Sequence, residues 1–131
     1  MSLSGRIRAA ENVFIIGNGG SYANAMHVAN DLISVGVRAH ILDPSTLTAI
    51  ANDYGYEHVF SRWLQVFARR GDLLIALSGS GKSKNILNAV EVAGKIGMDV
   101  EKIFGAPALG MQQAEEYQVW LGHELRRQLS K

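Results

Sequence analysis

Two segments of helical pattern each carry a histidine and a carboxylate at a spacing that suits metal binding or proton transfer. His27 and Asp31 lie four residues apart, which places both side chains on one helix face about a turn apart. Glu115 and His123 lie eight residues apart, about two turns, and again share a face. Two such helices could enclose a divalent ion such as zinc, which binds imidazole and carboxylate ligands. Helical histidines are more often partly buried and structural, so spacing alone leaves both interpretations open.

Two short runs rich in glycine and serine could bind an anion. The run GNGGS at 17–21 follows the apolar VFII, and SGSGKSKN at 78–85 follows the apolar LLIAL. Ser78 and Ser80 alternate with glycines and Ser83 precedes a helix, so hydroxyls, backbone N–H groups and the helix dipole all favour a phosphate there. The alternative is a tight turn that caps the helix. Neither run matches the P-loop or the GxGxxG pattern, which disfavours nucleotide binding by those routes.

The elements that must position these residues alternate between strand and helix. Apolar and β-branched runs predict strands at 13–16, 38–42 and 73–77. Apolar residues at helical spacing predict helices at 21–35, 59–68, 86–96 and 110–129. A short helix that runs to residue 51 is also predicted, with Ser45 or Thr46 as its N-cap. Asp43 and Pro44 are predicted to close the second strand. Glu101 and Lys102 make 100–104 a poor candidate for a buried strand.

This alternation predicts an α/β fold, a three-layer αβα sandwich whose parallel sheet is covered by helices on both faces. Residues 1–131 are expected to form a single domain, because the chain is short and contains no linker. In open parallel sheets ligands bind outside the carboxyl ends of the strands, where both glycine-rich runs fall. The sequence therefore predicts an anion site at that edge.

Composition narrows the class of protein. The 131 residues are 47% hydrophobic and 19% charged with a net charge of +1, which indicates a folded domain and excludes nucleic-acid binding through charge alone. The chain has no cysteine, which excludes disulfides and thiolate metal sites. No run reaches the ~18 apolar residues of a membrane span, and the first residues lack the apolar core of a signal peptide. We therefore expect a cytoplasmic protein without a membrane or nucleic-acid partner.

Four segments resemble the sugar isomerase (SIS) domain and, within it, most closely the phosphoheptose isomerases. They are the last helix with Glu115 and His123 and the runs GNGGSYANAMHVANDL, ANDYGYEHVFSRWLQV and RRGDLLIALSGSGKSKNILNAVEVAGKIGM. The similarity is continuous over about 12–98 and returns in the last helix. It implies a flavodoxin-like fold, a homo-oligomer (dimer or tetramer) and a sugar-phosphate ligand. The implied reaction converts sedoheptulose 7-phosphate to D-glycero-D-manno-heptose 7-phosphate, in heptose biosynthesis for lipopolysaccharide.

The resemblance also assigns roles to individual residues. The positions that bind the sugar phosphate or line the family's active site are Asn18, Ser21, Asp53, Ser78, Ser80 and Ser83. The family's zinc ligands fall on His27, Asp31, Glu115 and His123, where Asp31 replaces a glutamate and Glu115 replaces a glutamine. The implied catalytic residues are Asp31 or Glu115 as the base and His123 as the acid, with zinc polarising the carbonyl oxygen.

Two segments are shorter than the resemblance implies. The family begins with a helical pair that helps to build its tetramer, whereas only 1–10 precede the first predicted strand here. Between Met98 and Glu115 the family has a strand, a loop and another strand, for which this chain is too short. Either the chain is a reduced variant, or residues are missing between about Val100 and Glu101, in which case 101–104 belong to the final strand.

Two classes of function remain. The leading hypothesis is a metal-assisted aldose–ketose isomerase, which is an intramolecular oxidoreductase. The alternative is a non-catalytic SIS module that binds a phosphosugar or a protein partner such as a replication initiator. The isomerase is favoured because all four ligand positions carry metal-capable side chains. The motifs AMH and NDYGY disfavour a different SIS isomerase or a sugar-phosphate lyase.

Overall fold

The computed structural model describes residues 1–105 and 110–130. The strands are β1 (Val13–Ile16), β2 (Ala39–His40), β3 (Leu73–Ser78) and β4 (Asp99–Phe104). The helices are α1 (Leu3–Ala9), α2 (Gly20–Ile33), α3 (Pro44–Tyr54), α4 (Val59–Phe67), α5 (Lys84–Ile96) and α6 (Met111–Leu129), and a 3-10 turn spans Tyr56–His58. Within the described ranges, no helix combines the length and apolar character needed to cross a bilayer.

The four strands form one parallel sheet in the order β2-β1-β3-β4. The connection after β1 leads outward to β2, and the connection after β3 leads outward to β4 on the opposite side. The strand order therefore reverses between β1 and β3, which opens a crevice at their carboxyl ends. The predicted α/β fold with a flavodoxin-like parallel sheet is confirmed.

Alternation along the strands divides the core between the two faces of the sheet. Val13 and Ile15 of β1 face one side, and Phe14 and Ile16 face the other. The first face is covered by α1, α2 and α6, and the second by α3, α4 and α5. All six side chains of β3 are buried, as expected for a central parallel strand. This packing fixes α2 and α6 side by side above one face.

The segment after the second strand differs from its prediction. Strand β2 pairs only Ala39 and His40 with β1, because beyond them the Leu42 carbonyl accepts a hydrogen bond from the Tyr22 hydroxyl of α2 instead of a ladder partner. The helix that follows is longer than predicted, and Asp43 is its N-cap: the carboxylate accepts a bond from the Thr46 N–H at 3.1 Å. The assignment of the cap to Ser45 or Thr46 was wrong, because Pro44 already occupies the first helical position.

Helix α1 at the N-terminus is attached to the edge strand β4. Helix α1 was not predicted; it begins after Ser2, whose hydroxyl accepts a bond from the Gly5 N–H. Its Arg6 binds Asp99 at 2.8 Å and also binds Glu101, both on β4. Charged residues are tolerated in β4 because it is an edge strand. Val100 and Glu101 lie in one unbroken register with β3, so the described residues before α6 contain one strand where the family resemblance implies two.

Candidate functional site

A cleft of about 330 Å³ opens at the carboxyl ends of β1 and β3. Both glycine-rich runs line it, and the first turn of α6 closes one side. Its lining comprises Asn18, Gly19, Gly20, Ser21, Leu77, Ser78, Gly79, Ser80, Ser83, Met111 and Glu115. The cleft therefore occupies the crevice where the strand order reverses, the position at which open α/β sheets bind ligands.

The first loop is shaped by backbone and amide groups. Gly19 has φ +55° and ψ −121°, a conformation that L side chains rarely adopt, and no side chain caps the helix that begins at Gly20. Ser21 is buried in the first turn of α2. The Asn18 amide exchanges two hydrogen bonds of 2.8 Å with the Asn85 amide. The loop therefore presents an uncapped helix N-terminus to the cleft, where an anion would be favoured.

The second loop is ordered by its own serines. The Ser78 hydroxyl accepts a hydrogen bond from the Gly81 N–H at 3.0 Å, and the Ser80 hydroxyl accepts one from the Lys82 N–H at 3.1 Å. Ser83 is the N-cap of α5 by backbone position, but its side chain makes no capping bond. A hydroxyl that accepts one bond keeps its own hydrogen to donate. Turn formation and anion binding are therefore compatible in this loop.

Glu115 brings a carboxylate into the cleft. A Cβ atom built on Gly20 would lie 1.8 Å from Glu115 Oε2, so the carboxylate packs directly over the start of α2. The absence of a side chain at Gly20 makes this approach possible. An acceptor for sugar hydroxyls, or a base, thus lies beside the serine loop.

A second group of ionisable side chains lies between α2 and α6; we call His27, Asp31 and His123 the histidine–aspartate cluster. His27 Nδ1 lies 3.2 Å from Asp31 Oδ2, and His27 Nε2 lies 3.4 Å from His123 Nε2. Asp31 is only 4% exposed, whereas both imidazoles are exposed. Arg126 Nη1 lies 3.7 Å from the other carboxylate oxygen, Asp31 Oδ1. The cluster therefore combines a buried carboxylate with solvent-accessible rings.

The donor set of the cluster fits a divalent metal. One ligand atom from each of its three residues lies within 4.8 Å of the other two. Within the described residues Asp31 Oδ2 is buried and makes no hydrogen bond, although His27 Nδ1 lies 3.2 Å away, and coordination would relieve this state. Two zinc–nitrogen bonds of about 2.0–2.1 Å at a tetrahedral angle hold their nitrogens roughly 3.4 Å apart, close to the separation of the two imidazoles. Three protein ligands with an open position are typical of catalytic zinc.

The cleft and the cluster share one helix pair. Helices α2 and α6 run parallel: Gly20 lies beside Glu115, and His27 lies beside His123. Between these contacts, Asn24 Nδ2 donates to the Glu115 carbonyl at 3.0 Å and to Gln118 Oε1 at 2.9 Å. Seven residues separate Gly20 from His27, which is about 10 Å along the helix axis. The contact line between α2 and α6, which we call the seam, therefore runs about 10 Å from the cleft to the cluster and contains Asn24 and Gln118.

Most of the predicted site residues lie either in the cleft or in the histidine–aspartate cluster. Asn18, Ser21, Ser78, Ser80 and Ser83 line the cleft, and three of the four predicted metal ligands form the cluster. Glu115 lines the cleft and lies outside the group of three, so its role as a metal ligand stays a prediction. Asp53 is exposed on α3, does not line the cleft and accepts a bond from the Asn52 side chain, so its substrate contact also stays a prediction.

Sequence reasoning missed the partners of these residues. Asn85, Tyr56 and Arg126 contact predicted site residues, and Met111 lines the cleft. The position of Arg126, one turn after His123 on the same helix, was a usable signal. No local pattern marks Asn85 or Tyr56, because their contacts with Asn18 span 67 and 38 residues.

Residues 2–104 match the SIS domain family. The chain belongs to the SIS domain family. The resemblance to the SIS domain is therefore confirmed over residues 2–104, which include both glycine-rich loops and helix α2.

Individual SIS proteins support the same assignment. A phosphoheptose isomerase of Akkermansia muciniphila is 39% identical over 119 residues, which cover 85% of this chain and 63% of the relative. One from Rhodospirillum rubrum is 43% identical over 108 residues, 76% of this chain and 57% of the relative. The chain thus spans about three-fifths of the length of these curated relatives. The solved phosphoheptose isomerase of Neisseria gonorrhoeae superposes with a TM-score of 0.89 at 29% identity, covering 97% of this chain and 80% of that one.

Proposed function

We propose that the protein is an aldose–ketose isomerase of phosphorylated sugars and that its substrate is sedoheptulose 7-phosphate. The observation that carries this proposal is the seam between α2 and α6, which has the serine-lined cleft at one end and the histidine–aspartate cluster at the other. The names of the similar proteins in Akkermansia muciniphila and Neisseria gonorrhoeae support the choice of substrate. The expected location is the cytoplasm.

The length of the seam agrees with a seven-carbon sugar phosphate. With the phosphate against the serine loop, the sugar chain would run past Glu115 towards His27 and His123. The separation of the two ends, about 10 Å along α2, is comparable to the length of an extended heptose phosphate. Binding of the phosphate would thereby bring the reacting carbons to the ionisable groups, which is how remote binding energy promotes a reaction.

The reaction moves one proton between neighbouring carbons. A base removes a proton from C1 of the ketose, the electron pair forms a C1=C2 bond, and the C2 oxygen takes up a proton. The enediol then receives a proton at C2 and loses the O1 proton to give the aldehyde. Because the reacting carbons would lie at the cluster end, Asp31 is our candidate base, and the exposed His123 imidazole is the candidate acid that serves the oxygens. Glu115, the carboxylate in the cleft lining, would accept hydrogen bonds from sugar hydroxyls nearer the phosphate.

Asp31 has a second role in this proposal. Its buried carboxylate, together with His27 and His123, would hold a divalent metal such as zinc. When bound, that metal would act as a Lewis acid on the sugar oxygens. Arg126 lies near the other carboxylate oxygen, Oδ1, and so leaves Oδ2, beside His27 Nδ1, for coordination.

The direct test is turnover. Zinc-supplemented protein is incubated with sedoheptulose 7-phosphate, and formation of the aldose is followed by NMR, with His123→Ala as the inactive control. We expect aldose with the wild type and none above background with the variant. No turnover by folded wild-type protein that still binds the sugar phosphate would contradict the proposal and support the non-catalytic SIS module instead.

We also propose that the protein assembles as a dimer or tetramer. Large apolar side chains are exposed on the outer faces of the helices that carry the site: Met26 on α2, and Tyr117 and Trp120 on α6. The two aromatic rings contact each other with centroids 5.6 Å apart. Exposed apolar patches of this kind favour association. Light scattering at micromolar concentration tests this, and an active monomer would contradict it.

A further inference from the structure

The side chain of Asn18 lies in the cleft lining and makes three hydrogen bonds within the protein. Its Nδ2 donates to Asn85 Oδ1 at 2.8 Å, and its Oδ1 accepts from Asn85 Nδ2 at 2.8 Å. The same Oδ1 also accepts from the Tyr56 hydroxyl at 2.9 Å. These bonds fix the orientation of the amide and leave the second N–H of Nδ2 to donate to a ligand.

Asn85 connects the first loop to the second. It lies in the first turn of α5, two residues after Ser83, and is only 3% exposed. Its reciprocal pair with Asn18 crosses the crevice between β1 and β3, where no strand pairing extends beyond the ends of the strands. A buried primary amide must be satisfied, so the pair can be broken only at the cost of an unsatisfied polar group. The bond pair therefore ties the first loop to the start of α5.

Tyr56 adds a third element to the connection. The 3-10 turn Tyr56–His58 is attached to α5 through two contacts of Glu57: its carbonyl accepts from Asn88 Nδ2 at 3.0 Å, and its carboxylate lies 3.0 Å from Lys84 Nζ. From this attached turn the Tyr56 hydroxyl reaches Asn18. The turn therefore supports the first loop from the side opposite α6.

We propose that Asn85, assisted by Tyr56, is a positioning residue that holds the two anion-binding loops at the separation a sugar phosphate requires. Fixing Asn18 fixes the next residues, Gly19 and Gly20, which form the uncapped start of α2. Groups that are held in place before binding need no reorganisation when the ligand arrives. The inference rests on the proposed function for the identity of the substrate, but not for the binding of phosphate.

The test compares Asn85→Asp and Tyr56→Phe with the wild type. Aspartate keeps the size of asparagine but removes the donor to Asn18 Oδ1 and adds a negative charge near the cleft. Tyr56→Phe removes the second donor to that atom without changing the charge. We expect KM for sedoheptulose 7-phosphate to rise at least tenfold in Asn85→Asp and about two- to fivefold in Tyr56→Phe. We expect kcat to stay within threefold, because the histidine–aspartate cluster lies on other helices. Asn12→Asp is the matched control: the same chemical change at the opposite end of the strands, where Asn12 contacts His40, should leave KM unchanged.

Calorimetric titration with inorganic phosphate separates this inference from the proposed function. Weaker phosphate binding by the uncharged variant Tyr56→Phe as well as by Asn85→Asp, in proteins whose thermal midpoints exceed the assay temperature, supports the positioning role even if the wild type turns over no heptose. Weaker binding by Asn85→Asp alone is explained by charge repulsion and would overturn it. An unchanged phosphate affinity and KM in both variants would overturn it. A loss of kcat with constant KM would overturn it as well. If Asn85→Asp does not fold, an unchanged KM in Tyr56→Phe decides against the proposal.

Discussion

The cleft and the histidine–aspartate cluster both include residues of α2 and α6, but they differ in how their polar side chains are hydrogen-bonded. In the cleft, Asn18 is paired with Asn85, and the Ser78 hydroxyl accepts a bond from its own loop. In the cluster, Asp31 is buried, and its Oδ2 makes no hydrogen bond with any described residue. The cleft is thus a preorganised surface of many neutral donors, whereas the cluster depends on a few ionisable groups. Removal of a single hydroxyl should therefore have a small effect in the cleft, and removal of a single ionisable group should have a large effect in the cluster.

The largest effect is expected for His123→Ala. Loss of the imidazole removes one of three candidate ligands and the candidate acid, so kcat should fall at least about 100-fold. Zinc binding, followed by a metal-chelator competition assay, should weaken in parallel. The matched control is His58→Ala, an exposed histidine beside Glu57, which should change neither quantity. An unimpaired kcat in His123→Ala would show that the cluster takes no part in the reaction.

Gly122→Ala should damage the cluster through packing. A Cβ at Gly122 would lie 2.9 Å from Asp31 Oδ2 and 3.0 Å from Val28 Cγ2, so α2 and α6 must separate. Overpacking of this kind costs about 1–3 kcal/mol in the free energy of unfolding, measurable by urea denaturation. Zinc affinity should fall with it. Gly94→Ala is the control, because no atom of the described residues lies within 4 Å of a Cβ there and the helix should gain up to about 1 kcal/mol. Equal stability changes in the two variants would contradict the close approach of the helices.

Ser80→Ala should have a smaller effect, confined to binding. Removing one hydroxyl among several donors should weaken sugar-phosphate binding by about 0.5–1.5 kcal/mol, which corresponds to roughly a two- to twelvefold rise in KM. The value of kcat should stay close to that of the wild type. Calorimetric titration with sedoheptulose 7-phosphate measures the loss directly. If Ser78→Ala, Ser80→Ala and Ser83→Ala all bind as the wild type does, the phosphate binds outside this loop.

The smallest effect is expected for Arg6→Ala, which lies outside both regions. Hydrogen bonding to Arg6 lowers the pKa of Asp99 below its ordinary value. A lowered folded-state pKa stabilises the protein above the unfolded value of about 3.9, and this contribution disappears as pH falls through the folded pKa. Because Asp99 is 47% exposed, we expect the variant to lose no more than about 1 kcal/mol at pH 7. The difference from the wild type, measured by urea denaturation, should vanish in acid while KM and kcat at pH 7 are unchanged. A difference that persists at pH 2 would point to another origin.

The sequence predicts the repeated strand–loop–helix units well, because local pattern determines them. Runs such as LLIAL are apolar throughout, and the glycine-rich runs that follow can only leave the sheet at its carboxyl edge. Short elements were harder to predict. Helix α1 has seven residues and includes Gly5, and β2 ends early because of the long-range contact of Tyr22 with Leu42. Contacts distant in sequence override local pattern at such places.

In the candidate site, too, local pattern predicted some residues, and contacts distant in sequence determined the others. The serines and His27, Asp31 and His123 could be chosen by residue type and helical spacing. Helical spacing correctly placed Glu115 on the same face as His123, but two turns of helix separate the two residues. The Glu115 carboxylate instead packs over Gly20, where there is no side chain. The Asn18–Asn85 pair could not be predicted, since it depends on how two loops meet across the sheet.

The separation of binding from chemistry is tested most directly by titrating His123→Ala with sedoheptulose 7-phosphate in a calorimeter. If the cleft alone captures the phosphate, the inactive variant binds the sugar phosphate with an affinity within about fivefold of that of the wild type. A loss of binding comparable to the loss of turnover would contradict the account, because it would mean that the cluster also anchors the ligand.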